Sequence, residues 1–306
     1  MVLDSASMYF RAFFGVPDTV RAPDGTPVNA VRGFLDFVAY LTKLRRPTHL
    51  VACMDYDWRP AFRVAAIPTY KTHRVAVPAT NSRPAEEEVP DALEIQVPII
   101  TDVLDALGIV HLGIDGHEAD DVIGTLATRA DGSVDVVTGD RDLFQLVDDE
   151  RRVRVLYIAK GIRNLEIVDE AAVTRKYGIP GRSYATFAGL RGDPSDGLPG
   201  VPGVGDKTAA ALVSAHGDLP AILAAAEDPA SGMSPAVRRK LREATAYLAV
   251  APQVVQVVCD LPVPDFDCSL PAVPKDPEAL LALADRWGLE SPLNRLLNAL
   301  AEVADR

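Results

Sequence analysis

Val134-Asp135-Val136-Val137-Thr138-Gly139-Asp140-Arg141-Asp142 reads as a buried strand that stops on a turn bearing two carboxylates. The β-favouring run is too short for a helix, and a glycine closes it. Asp140 and Asp142, two apart on an extended tip, aim toward the same side, although Asp also populates ordinary turns. Three other places repeat the theme: Val2-Leu3-Asp4, Leu50-Val51-Ala52-Cys53-Met54-Asp55, and Gly113-Ile114-Asp115-Gly116-His117-Glu118. Short apolar runs separated by helical stretches are the mark of buried parallel strands. In an open parallel sheet, ligands bind at the carboxyl ends of the strands. With Asp120, Asp193 and Asp196, the acidic residues Asp4, Asp55, Glu118, Asp140 and Asp142 form a set. Carboxylates crowded on one edge repel and cannot all ionise unaided. Divalent cations resolve that conflict, so the edge reads as a metal site.

Outward from this edge, the chain alternates strand-like and helix-like segments over residues 1-176. Strands are expected at about 1–4, 48–54, 109–112 and 134–138, with a ribbon at 153–167. Helical patterns cover 28–44, 91–107, a segment opening near Ala119, and 142–147. This order predicts an α/β fold with a mostly parallel central sheet flanked by helices. Residues 76–90 carry several prolines and no apolar period, and read as a mobile segment. From about 170 onward the pattern becomes helical, with one or two helices over 275–306. The expected division is an α/β domain carrying the metal site at 1-176 and a helical subdomain at 177-306.

Of 306 residues, 48% are hydrophobic and 24% charged, as in ordinary globular proteins. No apolar run approaches the roughly 18–20 residues of a membrane helix, and the start lacks a basic-then-apolar leader. Cys53, Cys259 and Cys268 have no metal-ligand spacing and read as reduced thiols of a cytoplasmic protein. The formal charge of −12 argues at face value against nucleic acid. The acidic set and its ions offset part of it, and the basic residues are clumped at Arg59 to Arg74, Arg151 to Arg154 and Arg238 to Arg242. Local patches matter more than the total for a polyanion.

Glu118-Ala119-Asp120-Asp121 opens a helix, where its dipole favours negative charge. Asp120 is the stronger ligand; Asp121 is a cap, a ligand or a partner of a ligand. Tyr70-Lys71-Thr72-His73-Arg74 presents Lys71 and Arg74 as one cationic face, with Tyr70 able to stack on a base. Gly200-Val201-Pro202-Gly203-Val204-Gly205, followed by Asp206, Lys207 and Thr208, has glycines that allow close approach of backbone N–H groups. Lys207 and Thr208 open a helix on which a phosphate can sit. A nucleotide-binding loop is excluded, because Asp206 stands where that motif needs Lys and no strand precedes it. A clamp on the phosphate backbone of DNA explains these residues better than an ordinary helix–helix turn.

These motifs resemble the bacterial and phage flap endonuclease family, which includes the 5′ nuclease domain of bacterial DNA polymerase I, here in a stand-alone form. The resemblance runs over nearly the whole chain. It rests on Asp4 to Phe13, Phe62-Arg63 with Tyr70-Lys71 and Arg74, Glu118 to Asp121, Thr138 to Asp142, and Gly192 to Thr208. It implies a divalent-metal-dependent 5′ to 3′ exonuclease and 5′ flap endonuclease acting on DNA with 5′ ends, flaps or branches. Asp4, Asp55, Glu118 and Asp120, with Asp121 close by, would hold one Mg2+ or Mn2+. Asp140, Asp142, Asp193 and Asp196 would serve the second. Lys71 would steady the scissile phosphate, with Arg74 and Tyr70 beside it, and Arg63 would join the DNA-binding set. Gly200, Val201, Gly203, Val204, Gly205, Lys207 and Thr208 would form a helix–three-turn–helix clamp able to take K+. A mobile arch is implied at about 68-98, and a monomer with no membrane attachment is expected.

The chain departs from the family pattern at Asp57, a spare carboxylate, and at Glu86-Glu87-Glu88 in a Pro-rich stretch where relatives are more basic. Two other readings compete. A catalytically silent DNA-junction binder would have no need of eight carboxylates. A small-molecule phosphatase would want Asp-x-Asp at the first strand, where Asp4 is followed by Ser5 and Ala6.

Overall fold

A computed structural model describes residues 1–77 and 86–304. Six strands form the central sheet in the order β5-β2-β1-β6-β7-β8: β1 Val2–Asp4, β2 Val51–Cys53, β5 Val110–Leu112, β6 Val134–Thr138, β7 Val153–Tyr157 and β8 Glu166–Val168. All neighbours run parallel except β7 and β8. A separate antiparallel pair joins β3 Val75–Val77 to β4 Glu86–Glu87. Residues 78–85, the middle of the expected arch, lie outside the described residues.

Strand alternation sends side chains to two cores. Val2, Val51, Cys53, Val136 and Val155 face one cluster, and Leu3, Ala52, Val137 and Leu156 face the other. Both faces are buried, as a parallel sheet demands. The first core packs α6 (Ala119–Arg129), α7 (Glu170–Tyr177) and α8 (Tyr184–Arg191). It continues into the helical part: α9 (Asp206–His216), α10 (Leu219–Glu227), α11 (Pro235–Glu243) and α12 (Thr245–Val255). The second packs α1 (Ser5–Gly15), α2 (Asn29–Arg45) and α5 (Val97–Leu107). The short helices α3 (Ala61–Ala66) and α4 (Asp91–Glu94) complete the nuclease half.

The last two helices, α13 (Pro277–Trp287) and α14 (Glu290–Ala304), do not stay with the helical part expected at 177-306. Leu280, Ala284, Leu293, Leu296 and Leu300 pack into the second core with α2 and α5. Their amphipathic stripe has more apolar surface to cover there, because α2 and α5 would otherwise expose one side.

The helical pattern over 91–107 breaks at Gln96, which is fully buried and bonds to a different helix. Its Oε1 accepts from the Ala30 and Val31 amides, and its Nε2 donates to Asn29 Oδ1 and Ala92 O. The side chain thereby caps the N-terminus of α2, which has no cap of its own. The segment expected as a helix at 142–147 is a 3-10 helix, Asp142–Leu146. Among the described residues, no single helix is long and apolar enough to cross a membrane.

Candidate metal centre and nucleic-acid interface

Asp4 ends β1, Asp55 follows β2, Glu118 follows β5 and Asp140 follows β6, so the four strand ends converge at the carboxyl edge. Asp4, Asp55, Glu118, Asp120 and Asp140 line one cleft of about 230 Å3, together with Lys71 and Arg74. A short relay fixes its floor. Thr138 Oγ1 donates to Asp4 Oδ2 at 2.6 Å and accepts from the Asp140 amide at 2.9 Å, while Asp4 Oδ1 takes the Ser7 amide at 3.0 Å. Gly139 N donates to Ser7 Oγ at 2.7 Å, and a Cβ there would lie 2.6 Å from that oxygen. Only glycine lets β6 approach α1 this closely.

The electrostatics are those of a site built for cations. Burial pushes Asp4 up to about 7, with Asp55 and Asp140 adding to it against its two hydrogen bonds. Burial, then Asp140, Asp4 and Glu118, hold Asp120 well above the ordinary carboxylate range. Asp142 is likewise raised by burial, then by Asp140, Asp196 and Asp193. Burial and Asp140 push Asp196 up to about 6, against the cations Lys71 and Arg74. The Asp142 amide donates to Asp140 Oδ1 at 2.8 Å, and Asp196, whose amide bonds Asp193 O at 3.2 Å, takes Arg74 at 3.0 Å. Asp142, Asp193 and Asp196 therefore adjoin the cleft rather than occupying another face. Oxygen donors of this number and charge fit hard divalent ions. Among the described residues, no three acidic, imidazole or thiol groups already converge as a closed cage. Unneutralised carboxylates turn to other partners: Asp55 Oδ1 takes the Ala119 amide at 2.7 Å, and Glu118 takes Arg63, Tyr70 and Lys71.

Three sequence assignments change. Asp121 is fully buried, and both its oxygens are engaged. Oδ1 accepts from Arg63 Nη2 at 2.6 Å and Val258 N at 2.8 Å; Oδ2 accepts from Arg63 Nη1 at 3.0 Å and Glu118 N at 3.3 Å. It closes a capping box with Glu118 and has no face for a metal. Arg63 is 2% exposed between these two acids, so it cannot reach DNA. Tyr70 is 4% exposed, and its hydroxyl donates to Glu118 Oε2 at 2.7 Å, so it holds a carboxylate and does not stack on a base.

Lys71 and Arg74 do face the cleft. Lys71 takes a left-handed backbone, φ 48, and its amide donates to Asp196 O at 2.9 Å. Its ammonium sits on Glu118 Oε1; burial lowers its pKa, but Glu118, Tyr70, Asp196 and Asp55 outweigh that and raise it well above the usual value. Arg74 Nη2 reaches Asp196 Oδ1 at 3.0 Å and Ser195 O at 3.1 Å. Arg59, which the motifs did not single out, clasps this turn by donating to Tyr70 O, Pro68 O and Thr72 Oγ1. Arg191 similarly donates to Asp193 Oδ2 at 3.0 Å. The spare Asp57 accepts the Arg59 amide at 3.1 Å, a local role.

The glycine-rich loop divides in two. Val201 and Val204 are buried, and their amides are engaged by Leu190 O and Val201 O, so they pin the loop and are not free for phosphate. Gly200, at φ +67, is also buried, and a Cβ there would lie 2.4 Å from Arg191 O. Gly203, Gly205 and Lys207 are exposed and Thr208 is half-buried, at the N-terminus of α9. Gly203 O accepts from Lys240 Nζ at 2.8 Å. An ammonium of the chain itself thus bonds this carbonyl, and Val201 O accepts from Val204 N, each oxygen keeping a second lone pair. Of the basic clumps, Arg154 pairs with Asp135 within the β6–β7 pair, away from the acidic edge.

Comparison with known proteins agrees with this geometry. Residues 1–178 match the family described as 5′-3′ exonuclease, N-terminal resolvase-like domain, and residues 179–277 match the 5′-3′ exonuclease, C-terminal SAM fold. A 5′-3′ exonuclease of Streptomyces coelicolor is 62% identical over 303 residues, covering 98% of this chain and 99% of that protein. One of Mycobacterium tuberculosis is 52% identical, covering 98% and 97%. DNA polymerase I of Mycobacterium bovis is 38% identical over 98% of this chain, which spans 32% of the polymerase. The T5 D15 protein co-crystallised with metal ions shares the fold at a TM-score of 0.62 and 16% identity, over 99% of this chain and 98% of that one. The catalytic core of Rad2 in complex with DNA substrate does so at 0.62 and 18%, over 98% and 92%. With a parallel sheet that gathers acidic residues at its carboxyl edge and a helical half that presents a glycine-rich loop, the chain belongs to the 5′-3′ exonuclease family.

Proposed function

We propose that this chain is a 5′-3′ exonuclease and 5′ flap endonuclease that hydrolyses phosphodiester bonds of DNA with two divalent cations, Mg2+ or Mn2+, in replication and repair. The observation that carries the reading is the single cleft in which Asp4, Asp55, Glu118, Asp120 and Asp140 face Lys71 and Arg74. In this proposal Asp4, Asp55, Glu118 and Asp120 hold one ion, and Asp140, Asp142, Asp193 and Asp196 the other. Bound ions supply a hydroxide-like water at neutral pH and stabilise the leaving 3′ oxygen.

The chain's own groups do the rest. Lys71 stays protonated and, with Arg74, gives a fixed positive wall for the phosphoryl oxygens as charge builds on them. Tyr70 and Arg63 keep Glu118 in place, and Thr138 and Ser7 do the same for Asp4 and the Gly139 turn. No side chain acts as nucleophile. Gly203, Gly205, Lys207 and Thr208 bind the duplex backbone at the N-terminus of α9. Chemistry is assigned to the α/β part ending at about residue 176, and duplex grip to the helices that follow. The protein acts as a monomer in this reading.

The test is product mapping on a 5′-labelled flap duplex with Mg2+, Mn2+ or EDTA. Cleavage with either ion and none in EDTA is expected, and Asp142→Asn is expected to abolish it while keeping most DNA binding. Near-normal turnover by Asp142→Asn would refute the ion assignment.

A further inference from the structure

Most cations around the acidic cleft are already paired. Arg63, Lys71, Arg74 and Arg191 each lie within salt-bridge distance of a carboxylate. Three are not. Among the described residues, Arg141, Lys160 and Lys176 have no carboxylate within 4.0 Å. All three are exposed and line a second, polar cleft of about 420 Å3 that also includes Gly139, Asp140, Tyr157 and Ser195. Gly139 and Asp140 belong to both clefts, so this one opens directly off the metal centre.

Lys176 is not a loose surface lysine. Its Nζ stands 5.2 Å from the Tyr177 ring centroid, 5.8 Å from Phe144 and 5.9 Å from Tyr157. Phe144 packs edge-on against Tyr157 and Tyr184, which holds the ring group rigid. Attraction to ring faces fixes the ammonium before any ligand arrives. Lys160 stands opposite, on the β7–β8 connection, beside Ala159, whose carbonyl accepts from Arg11 Nη1 at 2.8 Å. Unpaired, pre-positioned cations attract an anion, and one adjoining a phosphodiester-cleaving centre is another phosphate of the same strand.

We propose that Arg141, Lys160 and Lys176 form a subsite for a DNA backbone phosphate next to the scissile one. This deepens the nuclease reading and rests on it. The subsite places a neighbouring phosphate so that the scissile one meets the acidic edge in register, and it locally offsets the chain's net charge of −12. It acts by positioning, through charge alone, without sequence preference.

The experiment measures affinity for a fluorescent 5′-flap duplex in EDTA across a salt series. It compares the unaltered chain, Lys160→Gln, the double variant Lys160→Gln/Lys176→Gln, and Lys275→Gln as a charge-matched control remote from the cleft. Each lost phosphate contact lowers the slope of log K against log salt by about 0.9. One such step is expected for Lys160→Gln, two for the double variant, and none for the control. An unchanged slope in both variants would overturn the subsite, even if loss of the ring contacts lowered the Tm of the double variant. Lys160 makes no ring contact, so its single variant keeps the test valid if the double variant folds poorly. A slope change confined to duplexes bearing a terminal 5′ phosphate would assign the cations to the strand end and overturn the backbone assignment. If the unaltered chain cleaves the flap with Mg2+ yet the slopes match, the subsite alone falls. If it cleaves nothing, the nuclease reading falls first.

Discussion

Replacing Arg63 with methionine tests the buried reading against the DNA-binding reading of the sequence. The guanidinium touches Glu118 and both oxygens of Asp121 at a site where all three side chains are at most 4% exposed. Methionine keeps the volume and removes the charge, leaving Asp121 with backbone donors only, next to a Glu118 held by Tyr70 and Lys71. Removing one partner of a buried ion pair costs about 3–5 kcal/mol. Unfolding entropy of about 2.1 cal/mol/K per residue gives roughly 0.64 kcal/mol/K for this length, so Tm should fall by about 5–8 °C. Arg63→Lys should recover little, because a lysine cannot meet both Asp121 oxygens at 2.6 and 3.0 Å. The assay is thermal unfolding by circular dichroism, paired with the salt dependence of duplex binding for each variant. Expected are a large Tm loss and an unchanged salt slope. A Tm within a degree of the unaltered chain, with the slope reduced by about one, would refute the structural placement and restore Arg63 as a phosphate contact.

Further expectations concern protons and one glycine. Asp4 and Asp196 are raised to about 7 and 6. A raised acid holds more protons folded than unfolded, so stability without metal should fall as pH climbs from about 4 toward 7. Divalent-ion affinity should rise over the same window as protons are displaced; Tm measured in EDTA and in Mg2+ at pH 5 and 7.5 checks both, and a Tm gap that narrows with pH would refute them. Gly197 has φ +72, and a Cβ there would lie 2.1 Å from Thr69 O. Gly197→Ala should therefore cost at least about 1–2 kcal/mol, or about 2–3 °C in Tm, and should slow flap cleavage; an unchanged Tm would show that the loop relaxes freely.

Much of the fold was legible because a buried parallel strand leaves a short apolar run that little else produces. Val134–Thr138 was bounded to the residue, and the carboxylates at four strand ends located the edge. What escaped was side-chain direction. Asp120 and Asp121 are adjacent, yet a helix turns about 100° per residue. One faces the cleft, and the other folds back on its own capping box. Nothing local marks Arg63 and Tyr70 as buried, because their partner Glu118 lies 55 and 48 residues away. The capping of α2 by Gln96, across 66 residues, is hidden for the same reason. The return of α13 and α14 to the second core depends on which apolar stripe lacks a cover, and a stripe does not name its partner.

The turn at residues 69–74 is locked by oxygens that arrive late in the chain. Lys71 N and Arg74 Nη2 both bond Asp196, and Thr69 Oγ1 bonds Gly197 O at 2.8 Å. Translation delivers the early strands well before residues 193–197 emerge. A nascent polypeptide would therefore carry a turn that already holds Glu118 through Tyr70 and Lys71 but lacks the Asp196 and Gly197 oxygens that complete its docking. The cationic turn thus reaches its full set of partners only when the second half of the chain has been made.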